Sequence, residues 1–252
     1  MLILTYHAVE SGSTPLCVSP DLFEAHLDVI VASGARAVTI SELVEELRSP
    51  ARERLVALTF DDGFASVAQY AAPLLVARGL TATVFCVAGH LGGRNDWASA
   101  LTGGFEAALV STDQVRGLAQ AGFEIGSHGF AHVPVAEARG VQQLEQELSA
   151  SREALERLTG TPVRSYAYPY GALPNREARR LVEQTYVAAC TTRVALVGPR
   201  PDVHELPRVD AHYLRRPELL KRALEGSLGS YLAARRLGSR ARRALRKDYV
   251  TA

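Results

Sequence analysis

Short apolar runs alternate with amphipathic segments along the whole 252-residue chain. Runs rich in β-branched and aromatic residues and bounded by turn formers read as strands; they fall at about 2–6, 35–39, 54–60, 81–87, 123–128, 164–169, 186–191 and 204–209. Between them, apolar positions at helical spacing predict helices over Pro20 to Ser33, Ile40 to Arg48, Ala65 to Arg78, Thr112 to Ala121, Val141 to Leu158 and Asn175 to Gln184. Ser19 or Asp21 caps the first of these, and Gly34, Gly79, Gly122 and Gly160 stand just past the ends of four, where a left-handed residue closes a helix. Seven or eight βα units predict an α/β fold, a distorted TIM-like (β/α) barrel of about seven strands, with a doubly wound open sheet as the rival. Two regions break the rhythm. Residues 89–104 (GHLGGRNDWASALTGG) read as a long loop over one end of the barrel, and long loops in compact domains are often functional. From Lys221 to Asp248 nine basic residues stand against two acidic ones, a basic helical tail.

Composition narrows the class. The length suits one substantial core, and 47% hydrophobic with 22% charged residues describes a globular chain. A net charge of +1 gives no pull toward nucleic acid. Cys17, Cys86 and Cys190 have no spacing that suggests a disulfide framework or a thiolate metal site. His7 and Glu10 interrupt the first apolar run, so no secretion signal is read there, and no stretch approaches the roughly 20 apolar residues of a membrane span. The expected location is cytoplasmic, or the inner membrane face if the basic tail contacts anionic lipid or a protein partner.

The candidate chemistry lies at strand ends, where a parallel barrel presents its reactive groups. The strand Leu55 to Phe60 runs straight into Asp61-Asp62-Gly63. Two adjacent carboxylates at one strand tip are costly to hold unless a cation or a proton separates their roles. The strand ending at Ser127 runs into His128-Gly129-Phe130-Ala131-His132. Two histidines and one carboxylate make a ligand set that leaves positions open for water and substrate. Either motif alone is commonly a turn or a surface pair; together, each directly after a strand, they point to a site. A third strand end, Ser165-Tyr166-Ala167-Tyr168-Pro169-Tyr170-Gly171, supplies a proline turn with aromatic walls.

In these three motifs and their order, Thr59-Phe60-Asp61-Asp62-Gly63, His128 to His132 and Tyr168-Pro169-Tyr170-Gly171, the chain resembles the polysaccharide deacetylases, the NodB-homology fold or carbohydrate esterase family 4. The resemblance covers roughly residues 1–215, the expected catalytic domain, with 216–252 as a basic helical extension. It implies one divalent metal, usually zinc with cobalt, nickel or manganese as alternatives, held by Asp62, His128 and His132. It further implies Asp61 as catalytic base and the backbone N–H of Tyr170 as a donor to the oxyanion. Two departures stand out. Gly129 takes the place of a Ser or Thr whose hydrogen bond would brace the site, and Ala167 takes the place of an arginine that orients the base in many members. Arg208, near the end of a late strand, is the substitute candidate for that role.

The family's late histidine, the general acid, has no clear copy near the C-terminus. A subgroup that looks circularly permuted carries it at the start as Tyr-His after a hydrophobic strand, and Leu4-Thr5-Tyr6-His7 matches; His204 and His212 are the fallback. The expected reaction is removal of an N-acyl group, first of all N-acetyl, from an amino sugar or glycoconjugate, with Trp97, Tyr166, Tyr168 and Pro169 shaping the sugar pocket. The alternatives are a non-catalytic sugar-binding module on the same fold and a deacylase of a non-sugar amide. An iron oxygenase would leave Asp61 idle, and a dehalogenase-type phosphatase would space its acids as D-x-D.

Overall fold

Each of the eight apolar runs forms a strand. The computed structural model describes residues 1–48, 53–97 and 105–245. In chain order the strands are β1 (Leu2–Tyr6), a small pair β2 (Ala8–Val9) and β3 (Cys17–Val18) that periodicity does not signal, β4 (Arg36–Val38), β5 (Leu55–Phe60), β6 (Thr83–Cys86), β7 (Glu124–Ser127), β8 (Ser165–Ala167), β9 (Ala188–Val194) and β10 (Leu206–Asp210).

The helices are α1 (Pro20–Ser33), α2 (Ile40–Glu46), α3 (Ala72–Ala77), α4 (Thr112–Gln120), α5 (Val141–Glu145), α6 (Ser151–Thr159), α7 (Arg176–Thr185), α8 (Pro217–Leu224) and α9 (Gly229–Leu245). Their starts follow the local chemistry. Ser19 caps α1, Thr39 with Glu42 and Ser111 with Gln114 form capping boxes on α2 and α4, and Asn175 caps α7, each satisfying backbone N–H groups that have no partner inside the helix.

The sheet closes. β1 pairs in parallel with β5 along its length, from Leu2 opposite Val56 to Tyr6 opposite Phe60, and on its other side with β10, Thr5 opposite Asp210. β6, β7, β8 and β9 complete the ring in sequence order, so the barrel has seven strands. β4 pairs with the first half of β5, and β6 with the second half. An open sheet would leave two unpaired edges in the ring; closure removes them and rules out the doubly wound rival.

Closure also decides which side of each strand faces inward. Leu2, Leu4, Tyr6, Val56, Leu58, Phe60, Tyr166 and Tyr168 belong to the large apolar layer shared with the helices. Ile3, Ala57, Phe85, Ala167, Cys190 and Leu206 form the second cluster, inside the ring. Polar groups fill the rest of the interior. Glu124 accepts hydrogen bonds from Ser41, Thr83 and Ser165 near the strand starts, while the strand ends carry the site. Leu220 and Leu224 of α8, Leu232 of α9 and Leu228 between them are buried in the outer layer. Residues 98–104 of the expected loop and the tail beyond 245 lie outside the described residues, among which no helix is long and apolar enough to cross a membrane.

Candidate active site

Three residues other than glycine adopt positive φ among the described residues: Asp62 at 67°, His132 at 58° and Tyr170 at 56°. Such backbone is strained for L-residues and survives where the surroundings over-determine it, typically at functional sites. All three follow the C-terminal ends of strands, after β5, β7 and β8, and all three meet. The Tyr170 ring packs edge-on against His132, with centroids 4.6 Å apart. Gly171 must be glycine: its φ is +67°, and a Cβ there would lie 2.0 Å from Thr192 Oγ1.

Asp62 sits between the two imidazoles. Its Oδ1 lies 3.3 Å from His128 Nε2 and 3.3 Å from His132 Nε2, and the three buried side chains present one ligand atom each within 4.8 Å of one another. His128 Nδ1 donates to the carbonyl of Ala167 at 2.8 Å. A carbonyl can only accept, so the proton is on Nδ1 and the Nε2 lone pair points at the cluster, the arrangement that orients an imidazole as a metal ligand. His132 Nδ1 is buried and has no hydrogen-bond partner. Packing holds that ring instead, with Trp97 stacked on it at a centroid distance of 4.5 Å. Burial would raise the Asp62 carboxyl, but the adjacent His128 and His132 outweigh this and hold it well below the usual carboxylate range. The donor set, two nitrogens and a carboxylate oxygen already converged, fits a divalent cation.

Asp61 is held apart from this cluster. Arg208, 2% exposed, grips it through two parallel bonds, Nη1 to Oδ1 and Nη2 to Oδ2, both 2.6 Å. The guanidinium is itself fixed: Nε donates to Thr191 O at 2.9 Å, Nη1 also reaches Thr59 Oγ1 at 3.3 Å, and its central carbon lies over the Phe85 ring. Burial pushes the Asp61 carboxyl up, but Arg208, then His128 and His7, outweigh it and keep it below its ordinary value. Asp61 thus remains ionised beside Asp62 because Arg208 supplies a cationic partner of its own.

His7 follows β1 on the inward-facing parity of Ile3 and Thr5. Its Nδ1 lies 3.9 Å from Asp210 Oδ2. The fallback histidines are placed differently. His204 precedes β10, at the opposite end of the barrel, with its ring on Tyr186 O, and His212 is exposed.

The aromatic walls divide. Tyr166 and Tyr168 are 0% exposed and pack between barrel and helices, with Tyr168 donating to His204 O; Pro169 is buried as well. Their expected contact with a sugar is therefore corrected: strand alternation turns these rings away from the cleft. Trp97 and Tyr170 remain partly exposed beside His132.

The family model described as polysaccharide deacetylase matches residues 48–189, a span that holds both carboxylates, both histidines and Tyr170. The chain belongs to the polysaccharide deacetylase family. YxkH of Bacillus subtilis (strain 168), a relative named as a candidate polysaccharide deacetylase, is 28% identical over 213 residues, covering 82% of this chain and 70% of YxkH. Among solved structures, the Streptococcus pyogenes deacetylase PplD in complex with acetate superposes at a TM-score of 0.73 with 23% identity, covering 90% of this chain and 97% of that one. IcaB from Ammonifex degensii gives 0.72 with 24% identity, covering 90% and 96%. These structural likenesses bear on the fold.

Two features of this polysaccharide deacetylase family member escaped sequence reasoning. Asp210 lies two residues past Arg208 and so faces the same way, a parity signal that was available. Glu147 gave no signal, because a carboxylate within a helical pattern reads as solvent-facing; it is 1% exposed and faces the loop between the two histidines.

Proposed function

We propose that the protein is a metal-dependent N-deacetylase that removes an acetyl group from an amino sugar or glycoconjugate. The observation that carries this reading is the division of labour between two adjacent carboxylates: Asp62 lies between His128 and His132, while Asp61 is clamped by Arg208. A structural ion pair would need one acid; hydrolysis of an amide needs one to bind and one to move a proton.

Asp62, His128 and His132 would hold the cation, with zinc the best match to two imidazoles and a carboxylate. When bound, such a cation makes water more acidic and polarises an amide carbonyl. The residues of the chain supply the rest. Asp61, ionised and oriented by Arg208, accepts the proton of the attacking water. The backbone N–H of Tyr170, pre-set by its left-handed φ, donates to the oxygen that gains charge. Collapse requires a proton on the departing nitrogen, since an amide anion is a very poor leaving group, and His7 with Asp210 beside it is the donor. Trp97 and Tyr170 offer the partly exposed faces on which a sugar ring stacks.

The test is metal content by plasma mass spectrometry on wild type and Asp62→Ala, alongside acetate release from a panel of N-acetylated sugars. One bound zinc, lost in the variant together with acetate release, is the expected result. A wild type that takes up no divalent metal when supplied would overturn the reading and leave a sugar-binding module in its place.

A further inference from the structure

We infer that Glu147 is a positioning residue for the cation site: its buried carboxylate fixes the loop that carries both histidines, taking over the bracing that the glycine at 129 cannot supply. The inference rests on the reading of Asp62, His128 and His132 as metal ligands.

The loop from Gly129 to Val133 turns sharply, with φ of +86° at Gly129 and +58° at His132. Within it, Glu147 accepts three backbone N–H groups. Oε2 receives Phe130 N at 2.9 Å and Val133 N at 3.4 Å, and Ala131 N lies 3.0 Å from Oε1 and 3.2 Å from Oε2. Charge-assisted bonds of this kind are the strong ones, and here they tie down three part-buried N–H groups of the loop. The carboxylate comes from a π-helical segment, Gln146–Ala150, between α5 and α6. Such a bulge costs helix geometry and recurs at functional sites.

The fit between the two positions is mutual. A Cβ on residue 129 would stand 2.5 Å from Glu147 Oε2, so any larger residue there would push the carboxylate out of its place on the loop. The need for an external brace is visible at His132, whose Nδ1 has no partner. Its ring depends on packing against Trp97 and Tyr170 and on the backbone that Glu147 grips.

The test titrates the full-length protein with Co2+, reading the absorption bands of the ion and its affinity, with far-UV circular dichroism to confirm folding. Glu147→Ala and the shape-conserving Glu147→Gln, which must turn an amide toward N–H donors, are each expected to lower affinity about 10–100-fold and to alter the band pattern. Gly129→Ala is expected to weaken binding in the wild-type background and to do less harm in Glu147→Ala, since the left-handed strain is common to both backgrounds and only the collision is removed. Folded Glu147 variants that bind Co2+ within threefold of wild type, with the same bands, overturn this inference and leave the metal reading intact. A wild type that takes up no Co2+ overturns the metal reading, and this inference falls with it.

Discussion

Arg208 and Asp61, 147 positions apart in the chain, meet inside the barrel in a two-point bond with both distances at 2.6 Å. The pair is buried, so its two halves depend on each other. Removing one leaves an uncompensated charge in the interior, which costs about 3–5 kcal/mol. Arg208→Met is therefore expected to destabilise strongly, and Asp61→Asn with Arg208→Met to cost less than the sum of the two single changes. Urea unfolding of the four proteins measures the coupling; strictly additive values would show that the bond contributes orientation without stability.

Cation binding should appear as stability. A ligand at 100 times its Kd adds about 2.7 kcal/mol, which raises the melting temperature of a chain this long by about 5–10 °C. Zinc is expected to give such a rise in wild type and to give little in Asp62→Asn. Asparagine tolerates the positive φ at that position, so the variant tests the ligand atom and not the backbone. An equal shift in both proteins would place the zinc elsewhere.

The three candidate proton donors, His7, His204 and His212, can be separated by kinetics. His7→Ala is expected to lower kcat about 10²–10⁴-fold, the range for loss of a general acid, with zinc content unchanged. His212→Ala and His204→Ala should leave kcat close to wild type. If His212→Ala gives the large loss instead, the proton donor comes from the segment after β10.

His26 provides a pH test away from the cleft. It is fully buried, accepts at Nδ1 from Tyr6 Oη at 2.9 Å and donates from Nε2 to Leu214 O at 3.0 Å. Burial lowers its pKa to about 4, only partly opposed by the Leu214 carbonyl. Between the ordinary value near 6.5 and that lowered one, the unfolded chain binds a proton that the folded protein refuses. Stability from this group is thus complete above about 6.5 and is lost as pH falls toward 4, by roughly 3 kcal/mol in all. Denaturant melts from pH 7 to pH 4 should show this slope in wild type and a smaller one in His26→Gln; equal slopes would assign acid lability to other groups.

Much of this molecule is written locally. The run Leu55 to Phe60 is a strand because it is short, apolar and β-branched in part, and Ser19, Thr39, Ser111 and Asn175 start their helices because each side chain satisfies nearby backbone donors. Asp61-Asp62 and His128 to His132 are legible for a similar reason, since each motif is contiguous and follows a strand whose end must lie on one face of a parallel barrel.

What the sequence alone determined was therefore the order of βα units, the helix ends, and the motifs that bring two carboxylates and two histidines to strand tips. The tertiary structure decided how those parts face one another. Alternation gives every strand two sides, but only ring closure settles which side is interior. It sends Tyr166 and Tyr168 to the helix layer, and sets His7, Asp61 and Arg208 on the inside of β1, β5 and β10, strands that become neighbours only when the ring closes. The same holds for Glu147, whose carboxylate leaves solvent because a loop 14–17 residues earlier presents three converging N–H groups.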